Sequence, residues 1–242
     1  MLLNKNLDVK KIKKELQEAR KEGHGYVSID NYLDDKWAKR IYREFESIPW
    51  SCKWITRSGE HHTTGQHTLN TDEVGIVDWA AECADQGTEG GKTVFYYNFY
   101  ERKPEITQYA VEDFLKEWCE SGEINTFFNE VMDRDVQYPY VNVTQYLENH
   151  FSGEHDDGWT GEYGKRALAF FCHLTPEWRA SWGGQTVFID RDDWNKITRV
   201  IPPRWNKMHI IDTQFCPIHY VNHVTPWALR KRYSITGWFH EV

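Results

Sequence analysis

From residue 136 to its last residues the chain reads as a run of short β-rich segments, over 136–146, 166–174, 185–190, 207–212, 218–224 and 232–239. Turns with Gly or Pro separate most of them. Strands packed this closely leave no room for the crossover helices of an alternating α/β sheet. They predict a β-sandwich or jelly roll.

The first half has a different period. Leu7, Ile12, Leu16 and Ala19 share one face of a helix over 7–21, which Gly23 and Gly25 stop. A short strand over 26–29 follows. Asp34 caps a second helix whose apolar stripe is Trp37, Ile41, Phe45 and Ile48, ending at Pro49. Helices over about 105–121 and 124–132 carry Tyr109, Phe114, Leu115 and Trp118, then Phe127, Phe128 and Val131. The expected fold class is α+β, mainly β: a jelly roll braced by N-terminal helices. No repeat, low-complexity tract or linker divides it. One domain over 1–242 is therefore expected, with 1–133 as helical support and loop 51–92, and 134–242 as the jelly-roll core.

Composition narrows the function classes. Twelve Trp, thirteen Tyr and twelve Phe in 242 residues mark a globular chain. A net charge of -8 repels phosphate backbones, so no nucleic-acid partner is expected. No run approaches a membrane span, and the first residues alternate apolar and charged types too quickly for a signal peptide. No membrane partner and a cytoplasmic location are the expectations. Five cysteines without a C-x-x-C pair argue against a disulfide framework and a thiolate zinc site. The stretch 51–92, rich in Gly, Thr, His and acidic residues, reads as a long loop and candidate lid. Its His61, His62 and His67 have no carboxylate at ligand spacing.

The chemistry concentrates in Gly153-Glu154-His155-Asp156-Asp157-Gly158-Trp159. Side chains alternate along an extended segment, so His155 and Asp157 project to one face and Asp156 to the other. A third ligand comes from a distant strand, and His219 or His223 supplies it. Two histidines and one carboxylate leave open positions on an octahedral ion, as in non-haem Fe(II) oxygenases. A calcium loop from Asp156, Asp157, Asp190, Asp192 and Asp193 is disfavoured by the neighbouring imidazole. A Glu154/Asp157 glycosidase pair is disfavoured because neighbours on one strand end do not flank a sugar. In the last strand Arg232, Ser234, Thr236 and Trp238 share a face, and an Arg fork followed by a hydroxyl suits a carboxylate. Asn142-Val143-Thr144 fits a glycosylation sequon but is read as strand, and Gly183-Gly184 is read as a hairpin turn.

These segments resemble the 2-oxoglutarate and Fe(II) dependent dioxygenases of the prolyl 4-hydroxylase-like branch. YLENHFSGEHDD, LTPEW, WGGQTVF, PPRWNK and RYSITGWFHE look most like the ribosomal-protein prolyl hydroxylases, then the oxygen-sensing ones. The resemblance implies Fe(II), 2-oxoglutarate and dioxygen as cofactors, with ascorbate as an auxiliary. It further implies hydroxylation of a prolyl residue in a protein or peptide, with release of succinate and CO2. His155, Asp157 and His219 match the metal ligands, the last by its twelve-residue interval from Lys207 and its His-x-Val pattern. Arg232 matches the residue that binds the distal carboxylate, with Ser234 beside it, and Tyr146 a cosubstrate-bonding Tyr. Arg166 and Trp238 match residues near the target proline. His173 stands where relatives usually have a Tyr that helps hold that carboxylate. A free-amino-acid hydroxylase would share all these residues, and a non-catalytic jelly-roll binding module would keep them as structure.

Overall fold

The computed structural model describes residues 1–55, 61–65, 95–100, 109–158, 160–161, 164–215 and 217–241. The helices are α1 (Val9–Lys21), α2 (Asp35–Glu44), α3 (Ala110–Glu120) and α4 (Glu123–Met132). The strands are β1 (Tyr26–Ile29), β2 (Ser51–Ile55), β3 (His61–Gly65), β4 (Phe95–Phe99), β5 (Val136–Tyr146), β6 (Phe151–His155), β7 (Thr160–Gly161), β8 (Gly164–His173), β9 (Thr186–Ile189), β10 (Ile197–Ile201), β11 (Lys207–Asp212), β12 (Ile218–Val221) and β13 (Arg232–Glu241).

Caps set the helix starts. Asp8 accepts from the Lys11 amide at 3.0 Å, so α1 begins at Val9 and Leu7 packs outside it. Asp34 accepts from Lys36 at 3.0 Å, as its position predicts. The second helix stops at Glu44, short of the expected 48, yet Phe45 and Ile48 stay buried in the core. Residues 101–108, which include the expected start of the third helix at about 105, lie outside the described residues, and Tyr109 caps α3.

The strands form one curled antiparallel sheet in the order β1-β11-β8-β13-β5-β4-β6-β12-β9-β10. β4 joins its two layers: Asn98 and Phe99 pair with β5, while Phe95 and Tyr96 pair with β6. This is the jelly roll. Alternation divides β8 and β13 cleanly. Phe170 and Phe239 face outward onto the helices, where Trp118 stacks on Phe170 at 5.2 Å and Phe128 meets Phe239 at 4.7 Å. Ala169 and Phe171 face inward with Phe188, Ile201 and Ile211.

Three expectations need correction. The segment 51–92 does not begin as a loop: β2 pairs with β3 and with β4, partners that no local pattern reveals. His61 and His62 lie on β3, and the remainder of the lid assignment, His67 included, falls outside the described residues. β4, β6, β7 and β10 add strands to those expected, β10 because four of its five residues are exposed and show no apolar alternation. Gly183-Gly184 follows a 3-10 turn (Ala180–Trp182) instead of joining two strands, and Gly183 bridges to Val224.

Candidate metal centre

β12 runs antiparallel to β6 with His219 directly opposite His155, and Asp157 follows two residues after β6 ends. One ligand atom from each of the three lies within 4.8 Å of the others. Their proton placement follows from their partners. His155 Nδ1 is 2.7 Å from the Gly153 carbonyl and His219 Nδ1 is 3.1 Å from the Pro217 carbonyl. A carbonyl only accepts, so each Nδ1 carries the proton and each Nε2 keeps a lone pair for a cation. His219 Nε2 is 3.4 Å from Asp157 Oδ2. Burial and the His219 ring beside it lower His155 to about 4, leaving it neutral near pH 7 as ligation requires. Burial pushes the Asp157 carboxyl up, but His219, His155 and the Trp238 indole outweigh it and hold it below the usual range. The donor set fits Fe(II).

His223 stands apart. β12 ends at Val221, so strand parity no longer turns His223 inward, and its ring stacks on Phe151 at 4.6 Å. Asp156 faces outward and pairs with Arg191 at 2.9 Å. Asp190 pairs with Lys196 at 2.7 Å and accepts from the Asp192 amide, so the acidic run after β9 makes a turn.

A cavity of about 110 Å³ adjoins the triad and is lined by His155, Asp157 and His219, by Tyr146 and Thr144, and by Arg232. Arg232 pairs with Tyr146 in register, and its guanidinium lies 4.4 Å from the centre of the Tyr146 ring. It is 2% exposed, and no carboxylate pairs with it among the described residues. Its Nε has no partner, and Nη1 donates to Ser234 Oγ at 3.3 Å. Burial lowers its pKa to about 10. A desolvated cation of this kind is costly unless an anion joins it. Burial pushes Tyr146 up to about 12, so its hydroxyl stays protonated.

Ser234 and His173 stand one step back from the cavity wall. Ser234 meets Thr144 Oγ1 at 2.9 Å. His173 is fully buried with neither ring nitrogen partnered, in ring contact with Phe171 and His209 at 5.4 and 5.5 Å. At the opposite end of the inward row Trp238 donates from Nε1 to Asp157 Oδ1 at 2.9 Å, and Arg166 lies 3.9 Å over the Trp238 ring. Arg166 Nη1 reaches the same carboxylate oxygen at 3.6 Å.

Sequence reasoning missed Tyr97, which lines the cavity and stacks on Tyr146 at 5.3 Å. It also missed His209, whose Nδ1 is 2.7 Å from the Tyr26 hydroxyl and 2.9 Å from Ser28 Oγ. A Phe-Tyr-Tyr-Asn-Phe strand signal over 95–99 was available for the first. Nothing local marks the second.

Residues 141–240, which contain every site residue named above except Tyr97, match the 2OG-Fe(II) oxygenase superfamily. A prolyl 3-hydroxylase of Xenopus laevis, OGFOD1, is 34% identical over 89 residues, 36% of this chain and 16% of that protein's length. The aligned part is thus a small piece of the relative. A Pseudomonas putida prolyl-4-hydroxylase superposes with a TM-score of 0.52 at 14% identity, covering 96% of this chain and 99% of that one. A Trichoplax adhaerens prolyl hydroxylase, solved with a hypoxia inducible factor oxygen degradation domain peptide, gives 0.55 at 14% identity, with 98% and 94% covered. At this identity the structures share the fold. The region that carries the site is 2OG-Fe(II) oxygenase-like in sequence as well.

Proposed function

We propose that this chain, with its 2OG-Fe(II) oxygenase-like region over 141–240, is a dioxygenase that hydroxylates a prolyl residue in a protein or peptide, converting 2-oxoglutarate to succinate and CO2. One observation carries the reading. A single cavity joins a triad fit for a metal to a buried guanidinium without a carboxylate partner among the described residues. The prolyl assignment is supported by the prolyl hydroxylase relative and by the peptide held by one structural neighbour.

His155, Asp157 and His219 would hold Fe(II), which together with 2-oxoglutarate supplies dioxygen activation. Arg232 would take the distal carboxylate of the cosubstrate in a charge-assisted pair, with Ser234 and Tyr146 orienting the guanidinium. His173 and His209 keep nitrogens unpartnered on that side of the interior, where neutral imidazoles donate or accept without adding charge. Trp238 donates to Oδ1 of Asp157 and leaves Oδ2 toward His219, so Asp157 would offer Oδ2 to the ion. Phe171 and Val221 line the cavity with apolar surface that excludes water. Arg166 and the Trp238 ring would border the substrate proline.

The test is succinate formation by purified protein given Fe(II), 2-oxoglutarate and dioxygen, with and without ascorbate as the auxiliary reductant. His155→Ala and His219→Ala should abolish it, while His223→Ala keeps it. Mass spectrometry of host proteins with and without the enzyme should then find one added oxygen atom on proline. Succinate formation that survives loss of His219 would sink the metal assignment. A cytoplasmic site of action belongs to the same proposal, and imaging a fluorescent fusion tests it.

A further inference from the structure

The two terminal strands of the sheet, β1 and β10, each pair on one side only among the described strands. Free edges of this kind are usually covered or closed, because their unpaired N–H and C=O groups bind any extended backbone that reaches them. Here side chains bridge the gap. The Tyr26 and Phe188 rings lie 5.5 Å apart, and the Arg199 guanidinium sits 4.8 Å over Tyr26. Against these residues lies a groove of about 640 Å³, bordered by Thr198 of β10 and by Phe215 and Pro217. It is far larger than the metal cavity.

The groove lies beside the metal triad. Phe188 lines it and is in ring contact with His219 at 5.4 Å, and Arg191 on its rim pairs with Asp156, next to Asp157. β10 is open to solvent, with Ile197 56% and Val200 44% exposed. The bulge between Ile197 and Arg199 leaves Arg199–Ile201 as its regular part.

We propose that this groove holds an extended segment of the substrate polypeptide, added as a strand to the free edge of β10, so that a residue farther along the same segment reaches the triad. The inference rests on the reading of the site as acting on a polypeptide. An extended chain fits where a folded surface does not, since the edge offers backbone groups in a row and only another backbone matches their spacing. The regular part of β10, Arg199–Ile201, gives an edge of roughly 10 Å that holds a segment in one register beside the site. Ile197 and Val200 would add apolar contacts, and Arg199 lies at the groove wall as a polar partner for the segment.

The experiment uses the whole chain as its anaerobic Fe(II)/2-oxoglutarate complex. The probe is a pool of dodecapeptides with proline fixed at the centre and all other positions randomised. Retained peptides should slow hydrogen exchange at amides 197–201 at least ten-fold. The same peptides N-methylated at alternate residues should lose binding, since N-methylation removes strand pairing and keeps the side chains. Retention without slowed exchange at 197–201, equal binding of the N-methylated peptides, or no retained peptide would each overturn strand addition. Succinate formation without peptide is measured separately. Its absence alongside protection of β10 would sink the dioxygenase reading and leave this one standing.

Discussion

Arg232 is a desolvated cation whose guanidinium meets a Tyr ring and a Ser hydroxyl, so the fold bears its cost unless an anion joins it. Arg232→Ala should weaken 2-oxoglutarate binding by about 2 to 4 kcal/mol, roughly 30- to 700-fold, with metal affinity nearly constant. Anaerobic calorimetry measures both, and unchanged affinity for 2-oxoglutarate would remove the assignment. Trp238→Phe is a different probe, because it keeps an aromatic ring beneath Arg166 and deletes only the N–H that Asp157 accepts. Loss of an outer partner of this kind should lower metal affinity about 10- to 100-fold, read by competition with a chromophoric chelator. An unchanged affinity would return Trp238 to a purely substrate-side role. These residues were legible because period-two alternation places Arg232, Ser234, Thr236 and Trp238 in one row from sequence alone. The hydrogen bond from Trp238 to Asp157 was not, since it joins positions 81 apart whose meeting depends on how the sheet curls.

The Gly183-Gly184 pair shows how a segment can serve a site it does not belong to. Gly184 has φ +62°, and a Cβ there would lie 2.9 Å from Arg232 Cδ and 3.2 Å from a Val224 methyl. Gly184→Ala should therefore add a steric push on the guanidinium to the backbone cost of a left-handed residue, itself about 1–2 kcal/mol. Gly23→Ala is the matched control, with φ +83° and nothing within 4 Å of its Cβ. Both variants should lose stability in urea titrations, and only Gly184→Ala should also lose 2-oxoglutarate affinity. Equal effects on binding would show that Gly184 matters for the backbone alone. The glycine pair reads from the sequence as a hairpin turn, which the fold does not make, and its contact with Arg232 was not visible at all. Local pattern also missed β10 and the β2–β3 pair. Strand assignment from alternation needs one buried and one exposed face, and β10 is exposed along most of its length while β2 depends on pairing with β4.

At the scale of the whole molecule, helix and strand residues share one apolar cluster running from Leu2 and Leu16 through Phe114, Trp118 and Phe128 to Phe170, Ile210 and Phe239. That continuity is why the switch from helical to β period could be read as one braced jelly roll, and it predicts that 1–133 and 134–242 unfold together. The interior beside this cluster holds imidazoles that the fold keeps neutral. Burial lowers His150 to about 3, and burial together with Lys207 and Arg232 lowers His209 to about 3. In the unfolded chain each returns to about 6.5, so between pH 6.5 and 3 the unfolded state binds more protons than the folded one. Stability therefore rises with pH across this window and is lost as pH falls through it. The contribution is fully present above 6.5 and gone below about 3. Each histidine should make the metal-free protein about 2 kcal/mol less stable at pH 5 than at pH 7, roughly 4 kcal/mol for the pair. Urea titrations of the wild type and of a His150→Gln, His209→Gln double variant at both pH values measure the difference. The double variant should show a pH 7-to-5 difference smaller by roughly 4 kcal/mol, the part that remains coming from His155 and His173, which burial also keeps neutral. A wild-type midpoint that does not move between pH 7 and 5 would mean that water or a bound anion reaches these imidazoles and that the interior is less dry than its packing indicates.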